Sequence, residues 1–353
     1  VGANLFCGAV LTARAEVIDY QALAEANLSI PVESNEIKNW PEGPILNARS
    51  AILMDADSGA ILYAKNIHEK LYPASTTKIL TAYIARQNSE LNEMIEYSDT
   101  AVHSIDWRSD SNIGIKAGEA ITMEQSLYGL LVGSGSECGN AIGEHISGSM
   151  EAFVDLMNQT AKELGCTDTH FSNCNGLPDE THVTSCYDMA LISREAIKNN
   201  MFRTLISTSR YDLPATNKSE PLAMFNHHRM ICANKGTAYL YDYAIGGKTG
   251  YTNAARNTLV TYAEKDGMML ICVLMKSGTV CQWTDTQRLF DYCFENFAVY
   301  NVANNETRFS DGISDSSSLS DKTEPFAKLD PDAMIVLPTS AAFTDTQTEV
   351  NYD

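Results

Sequence analysis

Ser75-Thr76-Thr77-Lys78 is the one S-x-x-K in the chain. On a helix, positions three apart share a face, so the hydroxyl and the amine can act together. A serine hydroxyl attacks poorly until a neighbouring base takes its proton, and a lysine is such a base once burial or a nearby cation lowers its pKa. A place in the first helical turn adds backbone N–H groups and a favourable dipole for a developing oxyanion. Alone, the tetrapeptide describes a helix-start serine beside a solvated lysine just as well. Lys248-Thr249-Gly250 is the second candidate, preceded by Gly246-Gly247. On an edge strand, its ammonium and hydroxyl can receive a carboxylate while Gly250 admits a peptide backbone. The third is Ser134-Gly135-Ser136, where a hydroxyl near Ser75 and Lys78 can relay a proton to a leaving amine. A glycine-rich hairpin and a helix terminus would account for these two triplets separately. Together, the three offer a nucleophile with a base, a carboxylate receiver and a proton relay.

The elements that must carry these residues follow from periodicity and turn chemistry. Ser50 to Asp55 and Ala60 to Lys65 read as a hairpin around Asp57-Ser58-Gly59. Pro73-Ala74-Ser75 opens a helical pattern with Ile79, Leu80, Tyr83 and Ile84 on one face. Thr122-Met123-Glu124-Gln125 is a capping box for a helix running toward Gly133, which places Ser134 to Ser136 at its end. Ser149 starts another helix that stops at Gly165, and a further one spans about Tyr187 to Ile197. Tyr243 to Tyr251, Asn257 to Glu264 and Met268 to Lys276 are β-rich, and Trp283 to Phe297 returns to helix. Strands at both ends with helices between predict an α+β fold whose single antiparallel sheet joins distant segments, with a helical subdomain and flanking helices.

The ends read differently. Residues 1–15 are mostly apolar and close on Ala13-Arg14-Ala15, the pattern of a signal-peptide remnant, so export is expected. Residues 16–46, with Pro31, Pro41 and Pro44, read as an extended lead-in to a catalytic unit over 47–298. Residues 299–353 read as a polar linker and the start of a small β-rich C-terminal domain.

A formal charge of -20 over 353 residues gives no clustered cationic face for nucleic acid or anionic lipid. Any anionic substrate group must meet a few local cations instead. The cysteines show no C-x-x-C pair, and the histidines show no H-E-x-x-H spacing. No metal site is expected; most cysteines read as core residues, and disulfide pairing is not readable from sequence. His227-His228 reads as solvated or structural, and the acidic residues as surface charge. The absence of G-x-S-x-G argues against an α/β-hydrolase elbow.

The ordered motifs resemble those of penicillin-binding serine transferases and serine β-lactamases. The flanking segments YPASTTKILTAYIA, LLVGSGSECGNAIGEHI and IGGKTGYTNAARNTLVTYAEKDG are similar to the low-molecular-mass D-alanyl-D-alanine carboxypeptidases, over about residues 47–297. That resemblance implies a β-lactamase/transpeptidase-like fold, no cofactor, peptidoglycan stem peptides ending in D-Ala-D-Ala as substrate, and β-lactams as covalent inhibitors. It makes Ser75 the acylated nucleophile, Lys78 the general base and Ser134 the proton relay. Lys248 and Thr249 would hold the substrate's terminal carboxylate, and the N–H groups of Ser75 and Tyr251 would form the oxyanion hole. Ser136 stands where the family usually has an Asn that bonds both the lysine and the substrate amide, and Cys174 stands where it has Pro. A β-lactamase, or a weakened wall-binding protein, are the alternatives; residues 160–185 match the carboxypeptidase pattern better than the glutamate loop of the common β-lactamases. Family members often continue into a β-rich domain and an amphipathic membrane anchor, so membrane attachment is expected only through a segment beyond this sequence.

Overall fold

A computed structural model of the chain describes residues 20–306 and 330–347. The expected signal-peptide remnant and most of the polar linker lie outside the described residues. In chain order the helices and strands are α1 (Tyr20–Leu28), β1 (Ser50–Asp55), β2 (Ile61–Lys65), α2 (Lys78–Asn88), β3 (Met94–Glu96), α3 (Asp99–His103), β4 (Ala120–Thr122), α4 (Met123–Leu131), α5 (Ser136–Ser147) and α6 (Met150–Glu163). There follow α7 (Cys186–Ile197), α8 (Asn200–Ser207), β5 (Arg210–Leu213), β6 (Leu222–Phe225), β7 (Ala244–Thr252), β8 (Arg256–Lys265), β9 (Met268–Ser277), α9 (Cys281–Asn296), β10 (Phe297–Asn301), α10 (Val302–Asn305) and β11 (Met334–Pro338).

The main sheet has the order β2-β1-β9-β8-β7 and is antiparallel throughout. All six residues of β1 are buried, and β8 and β9 are buried nearly end to end. Strands hidden on both faces need a cover on each, and the period of two sorts their side chains between two cores. Ile52, Met54, Ile271, Val273 and Met275 face a core built with α2 and α4 to α8. Ala51, Leu53, Leu270, Cys272 and Leu274 face the other, where Trp283, Leu289, Phe290 and Cys293 of α9 pack. The antiparallel sheet, the helical subdomain and the flanking helices are as the sequence predicted. β10 and β11 pair with each other as a separate ribbon, with Val299 opposite Val336.

The segment before β1 is not an extended lead-in. It contains α1 and a 3-10 turn at Glu33–Glu36, and Asn27 in α1 is buried. Its side-chain amide donates to the carbonyls of Asn47 and Lys276 at 2.9 and 3.2 Å, while the Lys65 ammonium donates to the carbonyls of Asn27 and Leu46. Polar contacts dock α1, while Val32, Trp40 and Leu46 of the same segment join the core that α9 covers.

Several carboxylates are likewise inside. Asp188 receives the N–H of Asp168 at 2.7 Å and the hydroxyl of Thr169 at 2.6 Å; Asp285 receives the N–H groups of Asn47 and Ala48. Buried carboxylates used as backbone caps satisfy N–H groups that irregular segments leave open. His228 is fully buried: its Nε2 contacts Thr261 Oγ1 at 2.9 Å and its ring meets Trp283 edge-on, so its role is structural and not solvated. The eight described cysteines are free, six of them buried.

Candidate active site

Ser75 lies in a 3-10 turn, Ala74–Thr77, that runs directly into α2. The nucleophile candidate thus sits one turn before the α-helix proper, not within it. Ala74 has φ +50°, a left-handed conformation unusual for a residue with a Cβ. The turn is fixed from three sides. Thr258 of β8 and Thr76 both donate hydroxyl hydrogen bonds to the Pro73 carbonyl, at 2.7 and 2.8 Å. Thr77 Oγ1 accepts from Nε2–H of His182 at 2.9 Å; the tautomer follows because His182 Nδ1 takes the N–H of Ser172. Burial pushes the His182 pKa down to about 4, keeping the ring neutral. Gly176 presses on the turn: a Cβ there would meet the Ala74 carbonyl oxygen at 2.0 Å.

Lys78, the first residue of α2, is fully buried and donates to Ser75 Oγ at 2.9 Å and to Ser136 Oγ at 3.3 Å. Ser75 itself is half-buried, open enough to be reached. Burial pushes the Lys78 amine down to about 8, while the nearby Glu137 acts in the opposite direction. A lysine so placed can lose its proton near neutral pH and act as a base.

Ser134 and Ser136 are not the end of α4. Ser134 occupies the turn between α4 and α5 with φ +60°, and Ser136 is the first residue of α5. The strained turn aims the two hydroxyls at different lysines. Lys248 of β7 donates to Ser134 Oγ at 3.0 Å and to the Thr249 carbonyl at 2.8 Å. Its amine lies well below the usual lysine range, first through burial and then through the charge of Lys78.

β7 is an edge of the main sheet, so one side of its backbone faces the cleft. Lys248 is buried, Thr249 half-buried and Tyr251 exposed. Gly250 brings the strand against the nucleophile: a Cβ there would lie 2.9 Å from the Ser75 backbone nitrogen and 2.3 Å from Thr258 Oγ1. At Gly247, φ +155° and a Cβ 1.9 Å from the Val260 carbonyl admit glycine alone. Ser75, Lys78 and Ser136 are thus hydrogen-bonded together, Lys248 reaches Ser134 and Gly250 lies against Ser75, whereas Tyr251 lines a separate cavity with Asn257, Lys276 and Ser277. Among the described residues there is no cluster of three or more metal-ligating side chains.

Residues 37–279 match the family profile described as D-alanyl-D-alanine carboxypeptidase. The chain belongs to that family. It is 34% identical over 257 residues to the D-alanyl-D-alanine carboxypeptidase DacF of Bacillus subtilis (strain 168), an alignment covering 72% of this chain and 64% of that protein. It therefore spans less than two thirds of the Bacillus protein. A crystal structure of a D-alanyl-D-alanine carboxypeptidase from Mycobacterium tuberculosis superposes with a TM-score of 0.65 at 30% identity, over 75% of this chain and 96% of that one. The DD-transpeptidase of a Streptomyces strain gives a TM-score of 0.66 at 26% identity, over 72% and 99%.

Relative to that carboxypeptidase family, two features here were beyond the sequence motifs. Glu137, next to Ser136, is fully buried beside the lysine, where the acidic residues had been read as surface charge. The segment Ser172–Leu177 backs the nucleophile turn: the Cys174 carbonyl accepts from Thr81 Oγ1 at 2.7 Å, and Asn173 Oδ1 receives the Gly176 N–H at 2.7 Å. Residues 160–185, with Cys174 where the family has Pro, were read as part of the family pattern; the contact of Gly176 with the Ser75 backbone needed the fold.

Proposed function

We propose that the protein is a serine-type D-alanyl-D-alanine carboxypeptidase that removes the terminal D-alanine from peptidoglycan stem peptides through an acyl-enzyme on Ser75. Family membership supports the reaction class, and the contacts of Ser75 with Lys78 and of Ser134 with Lys248 are the observation that carries the assignment. In this reading neutral Lys78 takes the Ser75 proton as Oγ attacks the carbonyl of the penultimate D-alanine. The N–H groups of Ser75 and Tyr251 receive the oxyanion, and Lys248 with Thr249 receives the terminal carboxylate. Collapse of the tetrahedral intermediate breaks the peptide C–N bond; the departing amine takes a proton through Ser134, and D-alanine leaves. Water then attacks the ester and returns the proton to Ser75.

A β-lactam carbonyl enters the same path, but its ring-opened amine stays tethered. Acting on cell-wall peptide places the enzyme outside the cytoplasm; no described helix is long and apolar enough to cross a membrane. The catalytic unit in this reading spans 47–298, and residues 299–353 follow it.

The test is intact-mass measurement after incubation with penicillin, alongside D-alanine release from a peptide ending in D-Ala-D-Ala. Wild-type protein gains the mass of one penicillin and releases D-alanine. Ser75→Ala does neither while remaining folded. An adduct that persists in Ser75→Ala, or folded wild type that releases no D-alanine, refutes the assignment.

A further inference from the structure

Glu137 is fully buried in the first turn of α5, one residue after a hydroxyl bonded to Lys78. One carboxylate oxygen, Oε1, accepts the N–H of Ile113 at 2.7 Å and that of Gly114 at 3.1 Å. The neighbouring Ser136 N–H is bound to the Ser111 carbonyl at 2.8 Å. Together these bonds clamp the irregular segment 111–114 onto the start of α5. Asn112, Ile113 and Gly114 form one wall of a cavity of about 330 Å³, with Met224, Phe225 and His227 opposite and Gly133, the neighbour of Ser134, also lining it. Ile113 is half-buried and Gly114 exposed, and a carboxylate is a strong acceptor for the N–H groups of such a loop.

The second oxygen, Oε2, is buried with no hydrogen-bond partner and lies beneath Gly135, where a Cβ would meet it at 3.2 Å. An oxygen left so exposed to low dielectric is costly as a purely structural choice, because an amide would serve the loop as well. Its charge has a nearby counterpart in Lys78. The other ionisable groups acting on Lys78 are Cys138 on α5, Cys174 and Asp110, and Lys78 in turn acts on Lys248 of β7 and on His227 beyond β6. Glu137 has the largest influence among the charged neighbours that raise the lysine pKa.

We propose that Glu137 is a positioning residue with two functions: it fixes the 111–114 wall of this cavity, which adjoins Ser134 through Gly133, and it sets a buried carboxylate beside the Lys78–Ser136 contact. The inference rests on the reading of Lys78 as the base for Ser75. It links substrate fit to base strength through a single side chain. Burial raises the carboxyl pKa above its ordinary value, while the backbone donors, Ile113 and Gly114 among them, and the charge of Lys78 act against that rise. Removing the charge lowers the Lys78 pKa, so more of the base is free at low pH.

Two conservative variants separate the two functions. Glu137→Gln keeps an acceptor for Ile113 and Gly114 but removes the charge; Glu137→Asp keeps the charge but shortens the reach. The readout is kcat and KM for D-alanine release from an N-acylated peptide ending in D-Ala-D-Ala, across pH. In wild type the acid limb of the rate lies near the Lys78 value of about 8. Glu137→Gln moves that limb down by about half a unit or more with KM little changed. Glu137→Asp leaves the limb in place and raises KM by about fivefold or more. Should the Gln protein not fold, the Asp variant still tests the clamp, and the penicillin acylation rate against pH in Glu137→Ala tests the charge. An unmoved limb in the charge-free protein, or an unmoved KM in Glu137→Asp, overturns the proposal. Wild-type protein that releases no D-alanine contradicts the proposed function instead, so the two failures are distinct.

Discussion

Lys78 and Lys248 are both withdrawn from water within one cleft, and the charge of Lys78 further lowers the pKa of Lys248. Two ammonium groups so close are harder to keep charged than one. Ser136 takes part by accepting from Lys78, although at 3.3 Å the contact is long. Ser136→Ala should slow penicillin acylation by about tenfold, as expected for loss of one hydrogen bond to a charged group. The check is the second-order acylation rate; an unchanged rate means that Ser75 alone orients the lysine. Ser75, Lys78 and Lys248 were singled out by their types and order, and the fold sets Lys78 against Ser75. Glu137 was not, because whether a carboxylate lies on the surface or under a loop depends on residues 111–114 folding over it.

The element that positions Ser75 is a 3-10 turn squeezed between β7, β8 and the segment Ser172–Leu177. At Gly176 the backbone has φ +89°, and an added Cβ would overlap the Ala74 carbonyl. Gly176→Ala should therefore destabilise the protein by about 2 kcal/mol or more, combining left-handed strain with overpacking. Denaturant midpoints measure the loss, and the residual folded protein should acylate slowly because the nucleophile turn has shifted. A midpoint equal to that of wild type would show that the loop can yield at no cost. Hairpins and capped helices were readable where local chemistry decides them: Thr122 with Gln125 forms the predicted capping box, and β1 pairs with β2 around the predicted turn. The short elements α3, α8, β5 and β6 were not, since such lengths form only when a partner surface covers them. Likewise α1 is docked by the amide of Asn27, which no hydrophobic period reveals.

Across the molecule, buried neutral histidines connect the site to acid stability. Burial lowers His182 to about 4 and His228 to about 3, against an ordinary value of 6.5. Their folded pKa values lie below the unfolded one, so this stability is fully present above pH 6.5 and is lost as pH falls through that window. For His182 alone the difference corresponds to about 3 kcal/mol. Protonation would also set two donors, the new Nδ1–H and the Ser172 N–H, against each other. The thermal midpoint should drop clearly between pH 7 and about pH 4, more clearly at high salt, where relief of repulsion among the surface carboxylates no longer offsets it. A midpoint that stays level at high salt would contradict this account.

The β1–β9 pairing carries a further consequence, for the order of events in the chain's life. β1 has β9 as a central partner, and Thr258 reaches Pro73 across 185 residues. Contacts so distant in sequence form late and slowly. A growing polypeptide that has made Ser75 and Lys78 still lacks the strands that bury the amine and brace the turn, so it carries an ordinary serine beside an ordinary lysine. Reactivity toward acyl donors arrives only with the completed sheet, and the unfinished chain is inert by construction.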